Sequence, residues 1–210
     1  MANDLLISGK NTGNVTAYNK NNGIPSKFNV CEKRLTLTTS FSVSSDAGEH
    51  GSVRAKFFNL STQFEFKDKS DNLVATGKKA LVSWGTRIDV YDSQNNKIGT
   101  IREEVLKSLF KRYTSYKILD SNGNEIAKSK KLDFGATGIT LYNPSGKEIA
   151  TIDRPWINIF RDNWNIDIKD RSAVDMRILV LIGAYKTYSD NAKSSSDSSN
   201  SSRPKSNSKK

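Results

Sequence analysis

Short runs in which apolar and polar residues alternate recur along the middle of the chain, 23 to 28 residues apart. Alternation with a period of two is typical of β-strands that bury one face. A polar turn rich in Asp, Asn, Ser and Gly follows each run, and this succession predicts hairpins. The six runs are Phe41-Ser-Val43, Phe64-Glu-Phe66, Ile88-Asp-Val90, Tyr116-Lys-Ile118, Ile139-Thr-Leu141 and Trp164-Asn-Ile166.

The turns and the strands that follow them add detail. Asn122-Gly123 offers two residues that tolerate positive φ, so we expect a type I′ hairpin there. Four return strands open on an apolar residue followed by a small one, which leaves room for another element inside the sheet. These pairs are Val74-Ala75, Ile98-Gly99, Ile126-Ala127 and Ile149-Ala150.

Six units of strand, turn and strand give about twelve antiparallel strands. A sheet of that size tends to close, because closure removes the edges on which another chain could pair. The sequence therefore predicts an all-β fold with one buried helix: a closed antiparallel barrel of about twelve strands around a C-terminal apolar α-helix.

The central helix is assigned to the segment Met176–Tyr185. Ser172 and Asp175 precede it at capping-box spacing, and Ser172 is expected to cap the first helical amides. Ile178 to Ile182 are consecutive apolar residues, so apolar groups face every side and the helix should be buried all round. A membrane span is the rival interpretation, but it needs about 20 apolar residues, whereas this run is about half that length.

Composition sets the domain limits. We expect residues 1–34 to be a flexible polar arm, residues 35–190 the barrel domain, and residues 191–210 a disordered Ser/Lys-rich tail. Cys31 is the one cysteine, which favours a reducing compartment. The first residues lack a basic region and a long apolar run, so we expect no signal peptide and a cytoplasmic location, with a peripheral position at a membrane if lipid is bound.

Charge points to a class of partner. The chain has 33 Lys and Arg against 22 Asp and Glu, a formal net charge of +11. Such a surplus attracts anionic lipid, nucleic acid or acidic protein, although it also serves simple solubility.

Three phrases carry a family resemblance: Lys117-Ile-Leu-Asp-Ser-Asn-Gly-Asn-Glu-Ile-Ala127, Leu141-Tyr-Asn-Pro-Ser-Gly-Lys-Glu-Ile-Ala150 and Asp175-Met-Arg-Ile-Leu-Val-Leu-Ile-Gly-Ala-Tyr185. Together with the hairpin repeats, they make residues 35 to 190 resemble the tubby C-terminal-like superfamily, in its LURP-one-related and phospholipid scramblase branches. The resemblance implies a twelve-stranded barrel threaded by the C-terminal helix.

The resemblance implies less about function. Tubby proteins bind phosphoinositides at membranes, scramblases move phospholipids in response to calcium, and LURP-one proteins have no settled biochemistry. A scramblase calcium site would need a compact carboxylate cluster, but Lys169 and Arg171 interrupt Asp167, Asp170 and Asp175. The chain also lacks the Pro-rich N-terminal region and the clustered cysteines of scramblases. We therefore predict no metal and no other cofactor.

Residues for catalysis are scarce. The single histidine, His50, falls in the first predicted turn, where a solvated role is expected. Asp120-Ser-Asn-Gly-Asn-Glu125 resembles a calcium loop, but its Gly stands at the fourth position and not at the sixth, so we interpret it as a hairpin turn. We find no phosphate-binding loop, dinucleotide motif or Cys/His metal spacing, and we predict that the protein is not an enzyme.

Basic residues recur at one position of the repeat. Arg54, Lys78, Arg102 and Lys130 each stand three residues after a small residue of a return strand. Residues at one repeat position share a side of the sheet, so these four are expected to form a basic stripe on the outer surface. The candidate residues for binding lipid headgroups are Arg54, Lys78, Lys79, Arg102, Lys128, Lys130 and Lys131, with Lys107, Lys111 and Arg112 extending the set.

Aromatic residues weaken the case for nucleic acid. Binding of single strands needs exposed rings beside the charges, and Trp84 and Tyr113 are the candidates. The other aromatic residues near them are expected in the core: Phe57, Phe58, Phe110, Trp156 and Phe160.

The leading hypothesis is a non-enzymatic binding module that docks to anionic phospholipid or phosphoinositide membranes through a basic outer barrel face. Two alternatives stay open: a scaffold or signalling adaptor for protein partners with incidental charge, and lipid translocation of the scramblase kind. We expect neither bound nucleic acid nor a transmembrane span.

Overall fold

The computed structural model of the chain describes residues 23–33, 38–58, 61–82, 85–107, 112–133, 137–154 and 163–200. Within these residues the chain forms thirteen strands followed by one helix, α1, Met176–Asn200. The strands are β1 (Lys27–Lys33), β2 (Ser40–Ser45), β3 (Gly48–Phe58), β4 (Ser61–Asp68), β5 (Leu73–Val82), β6 (Gly85–Asp92), β7 (Lys97–Lys107), β8 (Arg112–Leu119), β9 (Glu125–Ser129), β10 (Leu132–Asp133), β11 (Gly138–Tyr142), β12 (Glu148–Asp153) and β13 (Asn163–Ile168).

Twelve of these strands close into an antiparallel barrel. Consecutive strands pair from β1 to β9, β9 pairs with β11, and β11 to β13 lead back to β1. The two-residue strand β10 pairs only with the start of β8. The predicted fold class is confirmed.

The strand that closes the barrel is β1, from the segment predicted to be a flexible arm. Its alternating residues Phe28 and Val30 are 2% and 0% exposed, and the strand pairs with both β2 and β13. The barrel thus starts before residue 35, and β1 takes the place of the expected sixth return strand. The segment after Trp164-Asn-Ile166, where a hairpin turn was predicted, instead completes β13 at Ile168 and leads towards α1.

The alternating pattern in the sequence correctly predicts which residues of the strands are buried. All twelve apolar residues of the six predicted runs are at most 1% exposed. They line the inner face of the wall, and together with α1 they form one core. The aromatic residue Trp164 is among the largest fully buried side chains.

The pairs of an apolar and a small residue mark β-bulges. In each of the four hairpins the register skips the apolar member, Val74, Ile98, Ile126 or Ile149, and then pairs the small residue. The extra residue at a bulge bends the strand and increases its twist, which helps a sheet to close. His50 is skipped in the same way in the first hairpin, so it lies at a bulge and not in a turn.

The small residues make room for α1. A Cβ atom on Gly99 would lie 2.7 Å from Ile178 Cδ1, and one on Gly77 would lie 3.2 Å from Leu181 Cδ1. Ala75, Ala127 and Ala150 are fully buried on the same inner wall. Interior packing is dense, so bulkier residues here would displace the helix.

Four hairpin turns share one hydrogen-bond pattern, which differs from the type I′ prediction. In the β8–β9 turn Gly123 N–H donates to Asp120 O, and only Gly123 of the pair has positive φ, at 90°. This is the three-residue loop in which a turn is followed by one left-handed residue. Asp71, Asn95 and Gly146 take the same position in the β4–β5, β6–β7 and β11–β12 turns, with φ of 64°, 63° and 83°.

The helix begins at Met176 as predicted, but its capping residue and its end differ from the prediction. Asp175, not Ser172, is the N-cap: its Oδ1 accepts the Arg177 N–H at 3.0 Å, while the Ser172 hydroxyl donates to Asp170. The helix continues to Asn200, so residues 191–200, predicted to be disordered, are helical in backbone. Residues 1–22 of the predicted arm and 201–210 of the predicted tail lie outside the described residues.

The barrel has two distinct ends. At the helix-entry end, α1 starts beside Lys97 and Ile98, which open β7. At the helix-exit end, Tyr188 of α1 accepts a hydrogen bond of 3.2 Å from Thr62 near the start of β4. The buried part of α1 runs from Met176 to Thr187.

Candidate functional site

The predicted basic stripe is exposed but interrupted. Arg54, Lys78, Arg102 and Lys130 all lie on the outer surface and are exposed. Their registers are offset, however, and carboxylates stand between them: Arg54 faces Glu65 on β4, and Lys78 faces Asp89 on β6. These four residues therefore do not form one continuous stripe.

Lys79 does not join the outer surface. Side chains alternate across a strand, so Lys79 faces inward when Lys78 faces outward. Its ammonium lies 5.7 Å from the ring centre of Tyr185 and 5.5 Å from that of Tyr188 on α1. The prediction that Lys79 lies on the outer face with the other headgroup-binding candidates is wrong for this reason.

A different set of cations is continuous. Arg87 on β6 faces Arg102 on β7, Arg102 faces Lys117 on β8, and Lys117 faces Lys128 on β9. We call these four residues the basic row. Facing residues have Cβ atoms about 5 Å apart, and like charges in that position destabilise a sheet. The row thus opposes the stability of the barrel wall on which it stands.

Neighbouring carboxylates balance the row only in part. Arg87 pairs with Asp89 at 3.1 Å, Lys117 with Glu104 at 3.2 Å, and Lys128 with Glu125 at 3.6 Å. Arg102, in the interior of the row, is exposed and makes no ion pair with any described residue. Its charge is the most available one in the row.

The row ends at a cleft in the seam of the barrel. The seam is short, because β9 and β11 pair through only two residue pairs. The cleft, about 420 Å³ in volume, is lined by Lys128, Lys130, Tyr142 and the turn at 143–146. Lys130 Nζ lies 5.2 Å above the Tyr142 ring. The Lys130 ammonium over this ring, with Lys128 in the lining of the same cleft, can receive an anionic group.

On the opposite wall, formed by β12, β13 and β1, lysines are paired with carboxylates. Lys27 and Lys169 both contact Asp167, at 3.7 and 2.6 Å. Lys147 contacts Asp170 at 3.1 Å. The hydrogen bonds from Ser172 and Lys147 lower the pKa of Asp170 to about 2. Positive charge on this wall is therefore locally neutralised.

The carboxylates considered for calcium are all engaged. Asp167 and Asp170 hold the lysines just described, and Asp175 accepts from the Arg177 guanidinium at 2.7 and 3.0 Å. In the β8–β9 turn, hydrogen bonds from the side chain and backbone of Asn124 and from other backbone N–H groups lower the pKa of Asp120. Across the described ranges no group of His, Cys, Asp and Glu is arranged to hold a metal ion.

The residues considered for catalysis have structural surroundings. His50 is half-buried and lies 2.7 Å from the Ser45 hydroxyl, and burial with the nearby Lys69 lowers its pKa. The Cys31 thiol is half-buried and contacts the Glu32 carbonyl at 3.7 Å. The Ser45 hydroxyl also accepts the Ala47 N–H at 3.1 Å, so its pairing with His50 belongs to the β2–β3 hairpin.

Two members of the basic row escaped the sequence prediction. Lys117 stands between Tyr116 and Ile118, and Arg87 directly precedes Ile88, so alternation alone assigns both to the outside. They lie beside Arg102 because of the strand register, and the register cannot be inferred from the repeat position.

Some expectations concern aromatic residues. Phe57 is 74% exposed, so its assignment to the core is wrong. Tyr113, a candidate for nucleic-acid stacking, is half-buried. The following lie outside the described residues or side chains: Phe58, Trp84, Lys107, Phe110, Lys111, Arg112, Trp156 and Phe160.

Comparison with known proteins agrees with the barrel and its helix. A crystal structure of a protein from Arabidopsis thaliana is similar over 80% of this chain and 93% of its own, with a TM-score of 0.52 and 14% identity. At that identity the likeness shows the fold alone, which is the tubby-like barrel.

Residues 49–131 match the LURP-one-related family. The resemblance inferred from the sequence, to the LURP-one-related branch of the tubby-like superfamily, is therefore confirmed. A search of curated proteins finds no match.

The family match and the barrel fit a non-enzymatic binding module. In the described part of the chain, no helix is long and apolar enough to cross a membrane.

Proposed function

We propose that the protein binds anionic phospholipid membranes through the basic row and the adjoining cleft. The observation that carries this proposal is the continuity of Arg87, Arg102, Lys117 and Lys128 across four neighbouring strands. Each Lys or Arg near an anionic membrane surface contributes about 1 kcal/mol, and four or more together give useful affinity.

The energetics of the wall support a binding role. Like charges that face each other on a sheet are unfavourable by about 0.2–1 kcal/mol per pair, so folding alone does not favour this arrangement. The opposite wall shows that the same barrel can neutralise its lysines with Asp167 and Asp170. Unbalanced charge at one place is expected where a partner supplies the counter-charge.

The test compares two triple variants of the complete chain with the same loss of net charge. One carries Arg102→Gln, Lys128→Gln and Lys130→Gln, and the control carries Lys27→Gln, Lys33→Gln and Lys169→Gln, which change paired lysines on the opposite wall. Sedimentation with vesicles of phosphatidylcholine and phosphatidylserine should show about a hundredfold weaker binding for the first variant, because three contacts of about 1 kcal/mol are lost. The control should bind nearly as well as the wild type.

Two results would contradict the proposal. If the wild type does not bind these vesicles at physiological salt, the membrane is not its partner. If both triple variants lose the same affinity, total charge acts and the basic row has no special role.

A stability measurement separates binding from folding. We expect Arg102→Gln to leave the free energy of unfolding unchanged or to raise it by about 0.5 kcal/mol, because it relieves two like-charge contacts. Vesicle binding by the same variant should fall by about fivefold. A loss of stability with unchanged binding would assign Arg102 a structural role.

A further inference from the structure

The exposed large apolar side chains of the described residues gather at one end of the barrel. Phe57 is 74% exposed, Leu81 is 81% exposed and Val82 is 41% exposed. Phe57 is the last residue but one of β3, and Leu81 and Val82 are the last two residues of β5. All three therefore lie at the helix-exit end.

Position along the strand explains why Phe57 is exposed. Val53, Ala55 and Phe57 share the inward phase of β3, but their exposures rise from 0% to 8% to 74% towards the helix-exit end. At this level the interior holds polar groups: Thr62 and Thr86 are buried there, and Thr62 bonds to Tyr188. The phenyl ring of Phe57 thus projects from the mouth of the barrel.

The apolar end adjoins the basic row. Ala80 on β5 faces Arg87, the first residue of the row, and Leu81 directly follows Ala80. Lys56 stands next to Phe57 and pairs with Glu65 at 2.7 Å. Apolar side chains and cations thus meet at the corner formed by β5 and β6, as they do on protein surfaces that lie in the membrane interface.

We infer that this corner is inserted into the bilayer, with Phe57 and Leu81 entering the boundary of the acyl chains while the basic row contacts the headgroups. The inference rests on the proposed function and adds the orientation of the barrel. It makes the helix-exit end the deepest point, and the β4–β5 turn at the helix-entry end stays in water.

A bilayer suits these side chains better than a protein partner. A stable protein interface buries about 800 Å² on each partner in a continuous patch. Phe57 and Leu81 belong to strands two places apart in the sheet, which corresponds to about 10 Å, and their exposed areas are separate points. A fluid bilayer can surround each point independently, and so each contributes without a shaped partner surface.

The first experiment uses the single cysteine of the chain. In a Cys31→Ser background, an environment-sensitive fluorophore is attached at Phe57→Cys, at Leu81→Cys or at Ser70→Cys. Ser70 is exposed in the β4–β5 turn at the helix-entry end and is the matched control. On phosphatidylserine-containing vesicles, the labels at 57 and 81 should shift to the blue and be quenched by a lipid-borne quencher, while the label at 70 should do neither.

Unchanged labels at 57 and 81 on protein that does sediment with the vesicles would overturn the insertion and leave the basic row as the binding site. Absence of sedimentation would overturn both proposals. Equal shifts at all three positions would show immersion or aggregation without the inferred orientation.

A second measurement uses no label. The complete chain carrying Phe57→Ser and Leu81→Ser should lose about tenfold or more of its vesicle affinity, and the loss should persist at high salt because apolar burial is not screened. The neutralised basic row should lose affinity chiefly at low salt. Unaltered affinity of the double serine variant at both salt concentrations would overturn the inference.

Discussion

The two halves of the buried part of α1 are held in the barrel by different means. In the first half Ile178 and Leu181 fill the space above Gly99 and Gly77, with no polar group between them and the wall. In the second half Tyr185 donates a hydrogen bond to the buried carboxyl of Glu103, and Tyr116 donates to the same carboxyl at 2.8 Å. Shape fixes the helix at its entry, and hydrogen bonds fix it near its exit.

This difference shows how α1 is held at a fixed rotation about its own axis and at a fixed depth in the barrel. Apolar packing is strong but tolerates small displacements of the helix along its axis. A buried carboxyl with two hydroxyl donors is satisfied in only one arrangement, and any displacement leaves buried polar groups without partners. Phe64 adds edge contacts to the rings of Tyr185 and Tyr188, at 6.3 and 5.6 Å. The polar half therefore sets the register of the helix in the barrel.

The largest effect is expected in the apolar half. Gly99→Val should lower the free energy of unfolding by about 3 kcal/mol, because the new side chain has no space beside Ile178 and the Leu119 carbonyl, each 2.7 Å from the added Cβ. Chemical denaturation measures it. Ile178→Val in the same chain should recover part of the loss, and a Gly99→Val chain as stable as the wild type would show that the helix is loosely packed.

Breaking the polar half should have a somewhat smaller effect. Glu103→Leu leaves the hydroxyls of Tyr116 and Tyr185 buried without their acceptor, which should reduce stability by about 2 kcal/mol. The triple variant that also carries Tyr116→Phe and Tyr185→Phe should be more stable than Glu103→Leu alone. If it is less stable, packing and not hydrogen bonding accounts for the loss.

Alkaline pH should act on the polar half through its two buried tyrosines. Burial, followed by the negative charge of Glu103, raises the pKa of both Tyr116 and Tyr185 above the ordinary value. The unfolded chain then loses these protons first, so stability is complete below about pH 10 and falls by about 1.4 kcal/mol per pH unit for each tyrosine above it. Denaturation at a series of pH values should show a shallower decline for Tyr185→Phe than for the wild type.

The smallest effect is expected where α1 leaves the barrel. Tyr188→Phe removes the acceptor of the Thr62 hydroxyl but keeps the ring against Phe64, so it should reduce stability by about 0.5 kcal/mol. A loss of stability as large as that of Glu103→Leu would show that the Thr62–Tyr188 hydrogen bond at the mouth of the barrel also fixes the helix. Thermal denaturation beside the other variants gives the comparison.

The apolar half was predictable from the sequence, and the polar half was not. Val74-Ala75 and Ile98-Gly99 recur at a fixed repeat position, so the space that they leave for a helix shows in the sequence itself. Glu103 follows Arg102 in a strand that otherwise resembles a solvated edge, and nothing local indicates that a tyrosine 82 positions away meets it. Contacts across such separations depend on how the whole barrel closes.

The candidate site shows the same limit. The sequence supplied Arg102, Lys128 and Lys130, because repeat phasing and alternation assign them to the outside. It did not supply Arg87 and Lys117, because only strand register makes them neighbours of Arg102. The strand β1 was missed because Phe28 and Val30 alternate for just one period among Asn and Lys residues.

Because α1 follows the thirteen described strands in the chain, its position affects how the protein folds during synthesis. During synthesis the strands emerge first, but the side chains that must fill their interior come last. Until Ile178 and Leu181 arrive, the inner wall with Gly77 and Gly99 encloses a void, and a void of that kind is destabilising. The core of the barrel is thus completed only once α1 has been synthesised, and exposed apolar surface of this kind is what chaperones bind during folding.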